Sequence, residues 1–258
     1  MISEKKPSSF IRQSAMQIKL ARRLRKILPA VIGLGASMIL TVYVASLLVT
    51  QSGSFTINVK DYGDRSYALA LSESDSFKKS SSTLNATEAL NINNITYTNL
   101  PNNLNDINGS HNGENYLAYT FYVKNTGEKE CDYKYSLAIT RATAGIDAAV
   151  RVRIYYNADY YKDETDLFTH SGAFTDYAKP KTGGNGLPEV DPGERTMTNF
   201  ISNDVVAEGK MESFQPGDMS KFTVVIWLEG EDPDCTDDVL GGQFKVDMNI
   251  EILGDGEA

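Results

Sequence analysis

No charged residue occurs between Ile27 and Val59. The first part of that stretch, Ile27 to Thr50 (ILPAVIGLGASMILTVYVASLLVT), is long and apolar enough to cross a bilayer, which takes about 20 apolar residues over roughly 30 Å of hydrocarbon. Ahead of it lie Lys5, Lys6, Arg12, Lys19, Arg22, Arg23, Arg25 and Lys26, against one acid, Glu4. Basic residues that flank a span stay on the cytoplasmic side. The sequence therefore predicts a basic cytoplasmic leader over 1–26, a transmembrane helix over 27–50 and an extracellular domain over 51–258. The molecule would be a single-pass cell-membrane protein held through residues 27–50, its N-terminus cytoplasmic and its C-terminal domain outside. The alternative is a cleaved signal peptide and a secreted chain. Val44-Ala45-Ser46 and Thr50-Gln51-Ser52 offer small-residue cut sites, but the apolar segment exceeds the usual signal-peptide core of about 7–15 residues.

Charge follows the same division. Residues 1–28 carry eight basic residues and one acid, and the remainder carries 17 basic residues and 33 acids. A basic leader suits the anionic cytoplasmic leaflet. An acidic exterior excludes nucleic acid as a partner, because that interaction needs clustered Lys and Arg to replace counterions. No Pro-rich, Ser/Gly-rich or like-charge linker divides residues 51–258, so one domain is expected. Residues 72–82 and 179–194 read as surface loops.

The exterior alternates apolar and polar residues with period two, the mark of half-buried strands. One row is Phe55, Ile57 and Val59, and another is Leu117, Tyr119, Phe121 and Val123. Further rows are Tyr133 to Ile139, Val150 to Tyr156 with Arg151 and Arg153 outward, Phe222 to Leu228, and Phe244 to Ile252. Residues 67–71 and 94–98 are weaker candidates. Asn125-Thr126-Gly127 reads as a hairpin loop, and short helices are expected near 83–91 and 203–208. One-sided alternation implies antiparallel sheets with one wet face. Two of them packed together give an all-β antiparallel β-sandwich.

Three passages together resemble a known group: Gly53-Ser54-Phe55-Thr56-Ile57, the segment from Asn115 to Gly127, and the segment from Val224 to Cys235 with its tryptophan and acids. The chain resembles the membrane-anchored surface proteins of Gram-positive bacteria related to the TasA and camelysin group. That resemblance implies a jelly-roll-like sandwich and export through a dedicated SipW-type signal peptidase. It also implies a cell-surface or biofilm-matrix role, since several members of the wider group assemble into matrix fibres.

The sequence offers no catalytic residues. Camelysin relatives have been described as metallopeptidases, but this chain has two histidines, His111 and His170, and no His-Glu-x-x-His; a catalytic zinc site takes three protein ligands. No Gly-x-Ser-x-Gly elbow appears. The acids Glu229, Glu231, Asp232, Asp234, Asp237 and Asp238 crowd one turn, and such carboxylates can hold calcium through six to eight oxygens. Glu231, Asp232, Asp234, Asp237 and Asp238 are therefore candidate calcium ligands, weighed against a solvated turn that blunts a sheet end. The loop Asp106 to Asn115 could bind a glycan or a cation, or serve only as a turn-rich connector. Tyr155, Tyr156, Tyr160 and Tyr161 could form an adhesive patch. Cys131 and Cys235 could form a disulfide in an oxidising exterior or remain free. The expected function is non-enzymatic surface display, with self-association or binding of matrix and envelope proteins, and no cofactor unless calcium. A camelysin-like surface metallopeptidase and a calcium-dependent adhesin or sensor are the alternatives.

Overall fold

The computed structural model describes residues 55–64, 66–157, 173–180 and 197–253. The leader, the expected span over 27–50, Tyr160, Tyr161, His170 and most of the loop expected at 179–194 lie outside the described residues. Among the described residues no helix is long and apolar enough to cross a membrane.

Among those residues the chain forms twelve strands. They are β1 (Phe55–Lys60), β2 (Leu69–Ser72), β3 (Thr83–Asn85), β4 (Gly109–Ser110), β5 (Tyr116–Asn125) and β6 (Cys131–Ala142). The rest are β7 (Val150–Asn157), β8 (Phe174–Ala178), β9 (Thr198–Asn199), β10 (Val205–Phe214), β11 (Met219–Leu228) and β12 (Phe244–Leu253). A five-stranded sheet runs β10-β6-β12-β1-β3, and a seven-stranded sheet runs β2-β5-β11-β7-β8-β9, with β4 paired to β5. The two pack as a β-sandwich within one compact unit, Gly53–Ala258.

The six clear rows of alternation all fall on strands. Their apolar residues meet between the sheets, where Phe55, Ile57, Tyr119, Phe121, Tyr133, Leu137, Phe222 and Val224 are fully or almost fully buried. Phe121 stacks on Phe222 with centroids 5.2 Å apart. Burial of Phe55 and Ile57 contributes about 1.5–3 kcal/mol each, which fixes β1 into its own chain's sheet.

Four expectations are corrected. The sheets are mixed, because β1 runs parallel to β12 and β8 parallel to β9. Asn125-Thr126-Gly127 does not close a hairpin: β5 and β6 belong to different sheets, so the loop is an arch across the sandwich. The Asn125 side chain builds that arch, donating to Phe214 O at 2.7 Å and Lys129 O at 2.9 Å, and accepting from Gly127 N at 2.9 Å. The helices expected at 83–91 and 203–208 are replaced by β3 and β10, since pairing with β1 and β6 outweighs weak local helix preference. Residues 94–98 form only an isolated bridge from Ile95 to Glu229 and the start of a 3-10 turn, Tyr97–Asn99.

The seven-stranded sheet also lacks the wet face expected at its centre. All ten residues of β11 are buried. Its outer side carries a second apolar cluster of Leu100, Leu104, Ala118, Tyr155, Val225 and Trp227, with Ile95, Tyr97 and Tyr116 packed on it. The segment between β3 and β4 supplies the cover. Lys221 clamps it by donating to Asn105 O, and burial there pushes the lysine pKa down.

Candidate functional site

One end of the sandwich collects the C-terminus of β11 and the N-termini of β5, β7 and β12, because β11 is antiparallel to both β5 and β7 and feeds β12 through residues 229–243. Phe55 enters the fold at this same end, paired with Val246. Cys131 begins β6 at the opposite end, since β6 runs antiparallel to β12. Cys235 belongs to the 229–243 loop, so the strand length of about 3.3 Å per residue separates the two cysteines. Both are free thiols, one of the two states the sequence left open. Burial and the neighbouring acids Asp132 and Glu130 push the Cys131 thiol up to about 11.

Two acids of the turn, Glu229 and Asp232, are internal. Glu229 is completely buried. Its carboxylate accepts from Trp227 Nε1 at 3.0 Å and from Tyr97 N at 3.2 Å. Asp232 pairs with Arg151, their side chains 1% and 2% exposed, and its second oxygen accepts from Asp234 N at 2.7 Å. Arg151 also donates to the Val150 and Ala148 carbonyls. One register step along, Arg153 forks onto Asp176 at 2.7 and 3.0 Å. Its guanidinium lies over Phe174, 3.8 Å from the ring centroid, with Trp227 at 5.7 Å. The two arginines do point away from the main core as expected, yet both are buried. Only Glu231, Asp234, Asp237 and Asp238 remain exposed, the last two opening a 3-10 turn. Among the described residues no three His, Cys, Asp or Glu side chains converge as a metal site. Of the five candidate calcium ligands, Asp232, the acid at the middle of the set, already answers an arginine.

These buried bonds support a cleft of about 590 Å³. One wall is Asn94, Ile95, Thr96 and Asn99, and the other is Glu114, Asn115 and Tyr116, with Gly230 and Glu231 at the base. The first wall is docked like a short parallel strand, with Ile95 N donating to Leu228 O and Gly230 N to Ile95 O, both at 2.9 Å. Asn99 Oδ1 accepts from Thr96 N at 3.2 Å and Thr96 Oγ1 at 3.0 Å, closing the turn. Asn115 Oδ1 accepts from Asn93 N at 3.0 Å, tying one wall to the other. Asn94 Nδ2 points to Cys235 Sγ at 3.6 Å.

Two glycines let this geometry exist. A Cβ on Gly113 would stand 2.2 Å from the Tyr116 ring, and one on Gly230 would stand 3.2 Å from the Asn94 amide. Desolvation raises the Tyr116 pKa, so its phenol stays protonated at neutral pH. Of the loop Asp106 to Asn115, the structure brings only Glu114 and Asn115 to the cleft. His111 sits behind them, its Nδ1 2.8 Å from Gly109 O. Tyr155 packs in the outer cluster and Tyr156 against the main core, while Tyr160 and Tyr161 of the expected patch lie outside the described residues. None of Asn94, Thr96, Asn99 and Tyr116 was read from the sequence as a ligand-binding residue; Asn94 and Thr96 fell in the weak strand candidate 94–98, and Tyr116 in the segment from Asn115 to Gly127. The available signal was the density of Asn and Thr at 93–99 (Asn93, Asn94, Thr96, Thr98 and Asn99), in a segment read only as a weak strand.

No family model, curated protein or solved structure matches this chain.

Proposed function

We propose that this chain is a non-enzymatic recognition protein of the cell surface, displaying a jelly-roll-like sandwich that associates with envelope or matrix components. The observation that carries the reading is the division of labour at the loop end. Five charged side chains there, Arg151, Asp232, Arg153, Asp176 and Glu229, are buried and bonded to one another or to the scaffold. Neutral amides, a threonine and a tyrosine line the accessible cleft beside two carboxylates. A reaction centre needs perturbed, accessible acids or bases; a binding site needs a few fixed polar groups on a rigid support. The apolar segment 27–50 supports placement as a single-pass membrane protein, with the cleft at the end where the chain enters its sheet.

Strand β1 bears on the self-association version. It fills its own five-stranded sheet between β12 and β3, as a tethered strand would.

The test is fractionation of expressing cells with mass spectrometry of the N-terminus, followed by co-sedimentation of the detergent-solubilised full chain with isolated envelopes. Intact Met1 in the membrane fraction together with saturable sedimentation is the expected result. Recovery only in the cytosol, or no sedimentation above that of an unrelated acidic protein, overturns the proposal.

A further inference from the structure

The geometry points to the cleft as a subsite for an uncharged saccharide, an inference that rests on the recognition reading above. Its volume, about 590 Å³, falls within the roughly 300–1,000 Å³ of small-molecule sites. Its chemistry is more selective than its size. Asn99 and Asn115, both lining the cleft, each use the side-chain oxygen to hold the walls, which leaves both amide NH2 groups with no protein partner among the described residues. Asn94 does the reverse, spending its NH2 on Cys235 and keeping its oxygen. The cleft therefore offers fixed donors and a fixed acceptor, alongside the acceptor carboxylates of Glu114 and Glu231. Adjacent sugar hydroxyls each donate and accept, and they match such a mixed set better than any one-sided ligand does. Tyr116 is half-buried, and its ring is seated by Gly113. An aromatic face held in place next to hydrogen-bonding groups suits the C–H face of a pyranose, which is apolar on one side and polar at its rim.

Competing ligands fit less well. No Lys, Arg or His lines the cleft while two carboxylates do, so a phosphate, sulfate or uronic-acid group would meet like charge with no cation to offset it. A bound peptide strand needs a free sheet edge, and the strands ending here, β5 and β11, are interior.

The experiment uses the full-length protein in a detergent without a sugar headgroup. Saturation-transfer NMR and calorimetry are run against tetrasaccharides of N-acetylglucosamine, glucose (β1,4 and α1,4) and mannose, with tetragalacturonate as the anionic comparison and a neutral tetrapeptide as the peptide one. At least one neutral sugar is expected to bind with Kd between about 0.1 and 10 mM, the range of a single shallow subsite. N99D and N115D keep the oxygen that holds each wall and replace the outward donor with a charge. Each should weaken that sugar about tenfold, and N99D should leave the melting temperature within about 2 °C. Y116L, which keeps apolar bulk against the outer cluster but removes the aromatic face, and G113A, which displaces the ring, should each cost at least as much.

Four results overturn the inference: no neutral sugar binding at about 10 mM, a stronger response to tetragalacturonate, a stronger response to the peptide, or sugar binding untouched in all four variants. Envelope sedimentation separates this failure from failure of the broader proposal. Sedimentation that persists with no sugar binding at the cleft retires the saccharide alone, whereas loss of both retires recognition as well.

Discussion

Removing the charge from Asp232 should destabilise the domain by about 3–5 kcal/mol, the usual consequence of breaking one side of a buried ion pair. The magnitude follows from the burial. The Asp232 and Arg151 side chains are 1% and 2% exposed, so water cannot take over when the carboxylate is gone. Asp232→Asn preserves shape and can still accept from Asp234 N, bonded at 2.7 Å in the native chain, so the loss reports the charge rather than the turn. For a domain of this size about 1 kcal/mol moves Tm by roughly 2–4 °C, which gives a drop of about 6–20 °C in a thermal melt followed by circular dichroism. Glu231→Gln is the matched control: its side chain is exposed one residue away, and its effect should stay within about 0.5 kcal/mol. The double change Arg151→Met with Asp232→Leu should recover most of the loss, because a well-packed apolar pair replaces a buried ion pair at little net cost. The melt is run with a chelator and again with calcium. A role as an ion-pair partner predicts the same drop in both; a role as a calcium ligand predicts a drop only with calcium. A drop no larger than that of Glu231→Gln refutes the reasoning.

Asn125→Ala removes the donor to Phe214 O and the acceptor for Gly127 N inside a buried arch; a loss of about 2–3 kcal/mol is expected by urea titration, and less than about 0.5 would mean the arch does not depend on that side chain. Gly127→Ala should be worse tolerated at the same arch, because its Cβ would stand 2.6 Å from Ser66 O, which is backbone and cannot rotate away; unchanged expression and melting would contradict this. Burial raises the pKa of Tyr119, Tyr133, Tyr135 and Tyr177 in the fold, so their contribution is complete below about pH 10, where the unfolded phenols titrate, and is lost as pH climbs above it. Lys221, with a lowered pKa, acts in the opposite direction over the same range; the net result is alkaline unfolding, with those four phenols ionising at 295 nm only as the ellipticity falls. The buried Cys131 thiol should react with iodoacetamide at pH 8 far more slowly than Cys235, since little of it is thiolate; equal labelling of both by peptide mass spectrometry would oppose that.

The parts of the fold legible in the sequence were those with a strict side-chain period. Phe244 to Ile252 and Phe55 to Val59 could be read because alternate residues meet the core, and one residue's slip would turn each set to the wrong face. β10 was missed for a related reason. Its pattern, VVAEGKMESF, is broken by register shifts between Val205 and Ala207 and between Met211 and Phe214, and by Gly209, whose bare backbone receives the Tyr135 ring. The sheet assignment of Asn125-Thr126-Gly127 was beyond a local reading, since a hairpin and an arch use the same turn residues and differ only in which strands they later meet.

The site was less legible because the cleft is lined by what the buried charges leave over. In the sequence, Asp232 and Asp234 look equivalent, and Arg151 and Arg153 look like the wet face of an alternating strand. The fold distinguishes them by covering that face. With Leu100 and Leu104 packed on the outer side of the seven-stranded sheet and both arginines of that side buried, each arginine requires a carboxylate. Asp232 and Asp176 are drawn in to supply it. Holding Asp232 fixes the turn that carries Gly230 and Glu231, and holding Glu229 against Tyr97 N fixes the segment that carries Asn94, Thr96 and Asn99. Two of the acids that first suggest a cation site, Glu229 and Asp232, thus act as the framework of the cleft. Changes to the buried charges should move stability and binding together, whereas changes to the amides should move binding alone.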